Sequence, residues 1–300
     1  MSDLNNWRLE YPGVAFDFGN LSTTHPFKVQ VDVGAPGLTT QDATHPTSDG
    51  RIMGIDSFDG FDLTFALTTL PDGTAKPHMS AMDKISSFTA KWRADSIRSE
   101  PGAYASLANL ERQRMVWGRP RQVAPKYARI RQGLGEYIAT FTTNDPNFYD
   151  TTEKIYLITP IPPAGGGFTV PLSPPFSTVA GSAELSPLIA NDGELATWPI
   201  ITFHGPGNKP SIEFMQGAKV LWNLRIDDQI KYDETLVVDT RPWSRSATIN
   251  GKPANGLLRG TQMEKCQIPV GNNFRLRYKV KDKTGNSFVD VKWRDAFASL

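Results

Sequence analysis

Strict alternation of apolar and polar residues predicts β-strands in the first part of the chain. Residues 27–33 (FKVQVDV) alternate in this way, and residues 61–69 (FDLTFALTT) repeat the pattern. A period of two places every second side chain on one face, which is typical of a half-buried strand. The residues between them, 34–50, are rich in Thr, Asp, Pro and Gly and therefore predict a long loop.

The pattern then changes to one that favours helices. Apolar residues recur at helical spacing over residues 84–98 and again over 104–115, with Pro and Gly between the two segments and after the second. The second segment also contains good helix formers. We therefore expect two helices, followed by strands at 126–131 and 137–143.

A polar turn cluster over residues 143–153 separates this region from a second half that reads as β throughout. Many short strands at such spacing, divided by turn residues, indicate an antiparallel sandwich or barrel. We place the domains at 1–150 and 151–300. The stretch 160–175 holds six prolines and three consecutive glycines and predicts an exposed loop. Candidate strands lie near 155–159, 198–204, 211–215, 219–226, 235–239, 246–250, 263–268, 274–281 and 287–293.

Composition agrees with a folded β protein that has many turns. The 300 residues include 25 Gly and 23 Pro, and aromatic residues make up 10%. The net charge of +1 does not indicate nucleic-acid binding, which normally concentrates basic residues. We expect neither a signal peptide nor a membrane span. With Cys266 as its one cysteine, the chain cannot form an intramolecular disulfide, which suits folding in a reducing cytoplasm. We expect Cys266 to be a small buried residue and not a nucleophile.

Metal-ligand spacing is not found among the histidines. His25, His45, His78 and His204 are scattered without HExxH or HxH spacing, which favours solvated loop positions. The carboxylates of Asp56, Asp59 and Asp62 would suit calcium, but the spacing and closing Glu of an EF-hand are missing. We favour an ordinary turn at Asp59-Gly60 over a calcium site.

Motifs for nucleophilic or phosphate chemistry are also missing. There is no GxSxG, GxxxxGK[ST] or GxGxxG, and Gly165-Gly166-Gly167 precedes a proline-rich stretch and not a helix. Asp227-Asp228 is better explained as a hairpin tip than as an acid/base pair. The sequence therefore predicts a protein that is not an enzyme, with no catalytic, cofactor-binding or metal-binding residue.

Exposed tryptophans leave an alternative function open. All-β proteins often bind carbohydrate, and Trp198, Trp222, Trp243 and Trp293 are candidate stacking platforms. Three of the four lie in strand-like segments, where a core role is more common. A carbohydrate-binding β-sandwich is the alternative hypothesis, and a hydrolase with spatially assembled carboxylates ranks below it.

An ordered set of motifs runs from residue 137 to residue 296. In chain order they are YIATFTTNDP at 137–146, completed by Phe148 and Tyr149; WPIITFHGP at 198–206; LVVDTR at 236–241; TING at 248–251; IPVGNN at 268–273; and WRDA at 293–296. Some of them carry folding signals, such as the Asn250-Gly251 pair preferred in type I′ hairpin turns. The set resembles the distal tail proteins of long-tailed, siphovirus-type bacteriophages and related minor tail proteins. The first half of the chain matches more loosely, at Gly54 and at GRPR of 118–121.

The resemblance implies a mainly β protein with two domains. The first would be a belt domain, a small β-barrel or split sheet with a helix, of which six copies close a ring at the distal end of the tail tube. The second would be a galectin-like β-sandwich. The motifs by which typical galectins bind sugar are missing around His204 and Trp222, so lectin activity does not follow from the fold.

The same resemblance implies partners and a location. The partners would be further copies of the chain in a homohexamer, the tail tube protein, a tail hub or tail-associated protein, and receptor-binding proteins. Neither sequence-specific nucleic-acid recognition nor membrane insertion is implied. The protein would be a structural component of the virion tail tip and baseplate, assembled in the host cytoplasm.

Overall fold

The computed structural model describes residues 5–70, 73–160, 188–281 and 286–300. The chain divides into two compact units, Met1–Thr152 with Ala296–Leu300, and Glu153–Asp295. The last five residues, which we assigned to the second domain, belong to the first unit because Ala296 and Phe297 pair with Tyr149 and Phe148. The predicted loop at 160–175, with its three glycines, lies outside the described residues apart from position 160.

The first unit is built on one antiparallel sheet, which has nine strands in the described part of the chain. Its order is β2-β1-β9-β10-β11-β8-β3, and β12 pairs with both β10 and β25. The strands of this unit are β1 Asn6–Tyr11, β2 Val14–Gly19, β3 Phe27–Val33, β4 Leu38–Thr40, β5 Ala43–Thr44, β6 Arg51–Ile52, β7 Asp56–Phe58, β8 Asp62–Thr69, β9 Ala105–Asn109, β10 Arg114–Lys126, β11 Glu136–Thr143, β12 Phe148–Asp150 and β25 Ala296–Phe297.

A helix covers the aromatic core of this sheet. Helix α1 spans Pro77–Trp92, begins with proline in its first turn, and buries Ala81, Ile85, Phe88 and Trp92 on one face. The rings of Phe88 and Trp92 stack at 5.2 Å. Because four further aromatic residues pack within about 6 Å of Phe88, burial of this face holds the helix on the sheet. Those four residues are Phe16, Phe18, Phe27 and Tyr137. A short helix α2 follows at Asp95–Arg98.

The second predicted helix is wrong. Residues 104–115 form strand β9, a four-residue turn and the start of β10. Ala105, Leu107 and Asn109 alternate inward along β9, so burial on a sheet outweighs the helix propensity of this segment. The strand expected at 126–131 is also wrong, because β10 ends at Lys126 and Ile130–Gln132 is a short 3-10 helix.

The second unit is a β-sandwich of two antiparallel sheets, which confirms the mainly β fold class. The described strands of the first sheet are ordered β13-β24-β15-β19-β20-β21, and those of the second β14-β23-β16-β17-β22, with β18 beside β16. Side chains from both sheets form one buried cluster. The strands are β13 Lys154–Ile158, β14 Leu188–Asn191, β15 Ile200–His204, β16 Gly207–Gln216, β17 Lys219–Ile226, β18 Gln229–Ile230, β19 Thr235–Asp239, β20 Ser246–Ile249, β21 Lys252–Pro253, β22 Leu258–Gly260, β23 Gly271–Lys281 and β24 Phe288–Trp293.

Two local predictions in this unit have opposite outcomes. The type I′ hairpin is confirmed, because Asn250 and Gly251 have φ of 46° and 79° between the paired strands β20 and β21. The strand expected at 263–268 is wrong. Met263–Lys265 is a 3-10 helix, and Ile268 forms only an isolated bridge with Thr197. A second 3-10 turn lies at Asn255–Leu257.

Among the described residues, no helix is long and apolar enough to cross a membrane.

Candidate assembly surface

The connection between β3 and β8 is a long hairpin, which we call the arm (residues 34–60). Strand β4 pairs with β7, and β5 pairs with β6. The Gly34 amide donates to the Asp62 carbonyl at 2.8 Å and the Asp59 amide to the Gly37 carbonyl at 2.8 Å, which closes the base of the arm. The content of Thr, Asp, Pro and Gly predicted a loop over 34–50, where the structure has the strands β4 and β5 of only three and two residues.

The arm is exposed along almost its whole length, although it carries several large apolar side chains. From residue 37 to 59, only Asp42 is partly buried. An isolated two-stranded hairpin is at best marginally stable in water, and clustered exposed apolar residues mark interaction sites. The arm therefore has the character of a surface that another protein covers. Its exposed apolar residues are Leu38, Ile52, Met53, Ile55 and Phe58, with exposed fractions between 52% and 77%.

Polar contacts fix the conformation of the arm. The Asp42 carboxylate accepts hydrogen bonds from the Gly54 amide at 2.9 Å and from Arg51 at 3.3 Å. Position 54 requires glycine because the backbone of Gln41 passes close to it: a Cβ at this position would lie 2.0 Å from the Gln41 carbonyl oxygen. This gives a structural reason for the glycine that matched the family pattern.

The carboxylates considered for calcium lie along this arm and at its base. Asp59 accepts a hydrogen bond from Thr39, and Asp62 accepts one from the Thr142 hydroxyl at 2.7 Å. Asp56 lies opposite Thr40 in the β4–β7 pair. Within the described part of the chain, no group of three His, Cys, Asp or Glu side chains is placed to hold a metal ion.

A basic cleft of about 780 Å³ lies near the base of the arm on the same unit. Arg93, Arg98 and Arg121 line it together with Asp62. Asp95 forms ion pairs with Arg93 at 3.4 Å and with Arg98 at 3.1 Å. The cleft is thus polar and mainly cationic, whereas residues 34–60 carry four aspartates against one arginine.

The residues of the sequence motifs have structural roles. In the NDP junction, the Tyr149 hydroxyl donates to the buried Asp145 carboxylate at 2.5 Å. Burial raises the pKa of Asp145 to about 6, although hydrogen bonds from Tyr149 and the Asn147 amide act in the opposite direction. The Trp117 ring packs on Tyr149 at 4.7 Å between centroids. These contacts hold the end of the first unit in place.

In the DTR motif, three consecutive residues secure the end of β19. Arg241 makes a bidentate contact with Asp239, with Nη2 to Oδ2 at 2.6 Å. Asp239 also accepts a hydrogen bond from the Ser244 hydroxyl at 2.6 Å. The Thr240 hydroxyl donates to the Pro199 carbonyl at 2.7 Å, which ties this motif to the WP motif. The side chains of all three motif residues are thus hydrogen-bonded within the fold.

The structure separates the four histidines. His45 and His78 are exposed, as expected, but His78 lies in the first turn of α1 and not in a loop. His25 was predicted to be solvated but is 1% exposed, with Thr24 at 3.0 Å and Ser87 at 3.2 Å from its ring nitrogens. Burial, reinforced by the nearby Lys91, lowers the pKa of His25 to about 4. His204 pairs with Asp290 at 2.9 Å on the outside of the first sandwich sheet.

The tryptophan positions weaken the carbohydrate alternative. Trp222 and Trp293 are 3% and 2% exposed, and the Trp222 indole N–H donates to the Gln267 carbonyl at 2.7 Å. A buried ring cannot present a face to a sugar. Trp198 and Trp243 are partly buried.

Two further residues singled out in the sequence have structural surroundings. Asp227 follows β17 and pairs with Lys209 at 3.0 Å. Cys266 is fully buried, and burial raises the pKa of its thiol to about 12.

Comparison with solved structures decides the fold. The Dit protein of phage SPP1, described as a paradigm of the hub adsorption apparatus in phages that infect Gram-positive bacteria, matches with a TM-score of 0.56 and 14% identity over 97% of this chain and 99% of that chain. The chain has the fold of a phage distal tail protein. The phage p2 baseplate, in its activated conformation with strontium, matches with a TM-score of 0.50 and 10% identity over 96% of this chain and 97% of that chain.

The chain is similar to these proteins in three-dimensional structure, whereas the sequences are only 14% and 10% identical. No family model matches the chain, and no curated protein matches it. At such low identity the shared property is the fold. The motif-based resemblance to distal tail proteins is confirmed at that level, since the coverage extends over almost the whole of both chains.

Proposed function

We propose that this protein is a structural component of a long-tailed phage virion, in which several copies form a ring at the distal end of the tail tube. The observation that carries the proposal is the match to a hub protein over 97% of this chain and 99% of that one. A match confined to one unit would fit any β-sandwich protein. A match over both units supports the same architecture and hence the same kind of assembly.

The exposed arm supports the assembly role. In a head-to-tail ring, each copy presents one surface to the next copy, and the two surfaces differ. The apolar, acidic arm supplies one such surface, and the cleft of Arg93, Arg98 and Arg121 supplies a cationic one. Complementary charge of this kind sets the register of association more than its strength. We propose that the arm lies at an inter-subunit contact, with six copies as the family expectation.

The partners follow from the same role. The ring would contact the tail tube protein on one side and a tail hub or tail-associated protein on the other, while the sandwich unit would carry or approach receptor-binding proteins. The proposal includes no enzymatic activity, because the polar groups of the motifs are used in structural hydrogen bonds. The protein would be assembled in the host cytoplasm and act in the virion.

Imaging by negative-stain electron microscopy tests the ring. We expect closed rings of the purified chain, either alone or after addition of the tail tube protein of the same phage. The matched arm variant is Phe58→Ser, and the control is Leu21→Ser, since Leu21 is equally apolar and 78% exposed but lies outside the arm. Rings in the control and none in the arm variant would support the proposal. Monomers only, with and without the tube protein, would contradict it.

A further inference from the structure

The outer face of the second sandwich sheet is strongly basic. Along β16, β17 and β23 the side chains alternate, and those on the inner face, such as Phe214, Leu224 and Leu276, are fully buried. The opposite face therefore points away from the core. Its basic residues, together with one from β22, are Lys209, Arg225, Arg259, Arg275, Arg277, Lys279 and Lys281.

The pairing of the strands makes these residues neighbours. Arg225 lies opposite Arg259 in the β17–β22 pair, and Ser211 lies between Arg225 and Lys279. One cross-strand row, Arg259–Arg225–Ser211–Lys279, therefore holds three basic residues and no acidic one. Like charges placed opposite one another destabilise a sheet. Glu213, beside Lys279, and Asp227, beside Arg259, offset part of that cost.

One carboxylate at the centre of the face orders its neighbours. Glu213 accepts hydrogen bonds from Lys279 at 2.6 Å and from Arg277. Burial raises the pKa of Glu213, but these hydrogen bonds outweigh it and hold the pKa below its usual range. The carboxylate is only 16% exposed, whereas the Arg277 and Lys279 side chains are 36% and 50% exposed. The anion is thus recessed and the cations face solvent.

A second carboxylate, that of Asp227, pairs with basic neighbours at one end of the face. The hydrogen bond from Lys209 holds the pKa of Asp227 below its usual range, with Arg259 and Arg225 adding to the effect. Lys209 lies at 3.0 Å and Arg259 at 3.9 Å from this carboxylate. Counting Asp228 beside it, the described residues of the face include three acidic groups and seven basic ones.

The chemistry of the face distinguishes between classes of ligand. Protein interfaces are rich in aromatic residues and arginine and poor in lysine. This face carries four arginines but also three lysines, and its outward strand positions hold no Trp, Tyr or Phe in the described part of the sheet. Single-stranded nucleic acid would need aromatic platforms on which its bases stack. A flexible chain of repeating anionic groups needs only ordered cations in rows.

We infer that this face binds a flexible polyanion, a polymer that carries repeated phosphate groups and no bases. The contacts would be charge-assisted hydrogen bonds from the guanidinium and ammonium groups to phosphate oxygens. Binding would weaken steeply with ionic strength, because most of the cations are solvent-exposed. The inference does not depend on ring formation, so it stands or falls separately from the proposed function.

The test uses the full chain and a linear inorganic polyphosphate as the probe, with affinity measured by isothermal titration calorimetry at low and at physiological salt. The variant is Arg225→Glu combined with Lys281→Glu, since both residues are exposed and neither belongs to the core. The control is Lys126→Glu combined with Lys252→Glu, two exposed lysines on other sheets. Melting temperatures of all three proteins establish that they are folded.

We expect polyphosphate binding that weakens about tenfold or more in the first double variant and less than about twofold in the control, since only the first reverses charge on the face. Absence of binding at low salt would overturn the inference, as would equal loss in both double variants. Tighter binding of duplex DNA or of an acidic protein, measured under the same conditions, would also overturn it, because the face would then serve another class of ligand.

Discussion

The Tyr149 hydroxyl donates a hydrogen bond of 2.5 Å to the Asp145 carboxylate, which is 6% exposed. Despite this contact, burial raises the pKa of Asp145 to about 6 from an ordinary value of 3.8. Between about pH 4 and pH 6, the folded protein therefore retains a proton that the unfolded chain has already released. By linkage, this group stabilises the fold below about pH 4, and its contribution is lost as the pH rises through about 6.

His25 has the opposite dependence in the same unit. Burial lowers its folded pKa to about 4 from 6.5, so the folded protein favours the neutral ring. The contribution of His25 is present above about pH 6.5 and is lost as the pH falls towards 4. Each shift corresponds to about 3 kcal/mol. Because the two shifts have opposite signs, the two dependences oppose one another between about pH 4 and pH 6. Single variants should reveal each of them.

Asp145→Asn should remove the carboxylate dependence. Relative to the unsubstituted protein, the variant should gain stability as the pH rises from about 4.5 to 7, by about 1–3 kcal/mol. Urea unfolding at the two pH values measures the difference. Tyr149→Phe is the companion variant, because loss of the donor should raise the Asp145 pKa further and steepen the dependence. A difference that stays constant with pH would show that Asp145 does not titrate as described.

His25→Gln should have the reverse effect. Its stability relative to the unsubstituted protein should be higher at about pH 4.5 than at pH 7, because the buried ring no longer has to be kept neutral. His78→Gln is the matched control, since it removes an exposed imidazole and not a buried one. If both histidine variants behave alike, the burial of His25 is not what lowers its pKa.

The hairpin turn offers a test of backbone strain. Gly251→Val should lower the free energy of unfolding by about 1–3 kcal/mol, because a β-branched residue resists the positive φ of 79°. Space is not the cause, since a Cβ at this position would meet no atom within 4 Å. Gly256→Val is the matched control: its surroundings are equally open, its φ is not positive, and its effect should stay within about 0.5 kcal/mol. Equal losses at the two positions would argue against strain.

The arm should matter for assembly and not for folding. Ile55→Ser and Phe58→Ser replace side chains that are 75% and 62% exposed, so the melting temperature of the single chain should change little. The mass of the assembled species should fall towards that of one subunit. Gly54→Val should act in the same direction by forcing residue 54 away from Gln41. An assembly that survives all three substitutions would place the inter-subunit contact elsewhere.

Sequence periodicity predicted those elements whose buried face is regular. Phe27 and Val29 in β3 and the alternation of β8 are examples, as are most strands of the sandwich. The segment 104–115 failed because helix formers such as Ala105 and Leu107 also fit a buried strand, and only the partner strands decide between the two. Local sequence does not contain that information.

The assembly surface was harder to predict than the fold. The arm lies in a polar segment whose apolar residues, such as Leu38 and Phe58, have no regular period, since they contact no core of this chain. Likewise, the sequence around His25 does not reveal its burial, since its ring packs against Phe16 and against Phe88 of α1. Scattered large apolar residues inside a turn-rich segment were the signal that could have identified the arm.

The most direct test of the structural account is the solution mass of the purified chain, measured by analytical ultracentrifugation over a range of concentrations. One chain has a mass of 33.1 kDa. The account predicts a single closed species of about 200 kDa, as expected for six copies in a ring, formed either by the chain alone or with the tail tube protein present. A chain that remains at 33.1 kDa at every concentration, and still does so beside the tube protein, would contradict it.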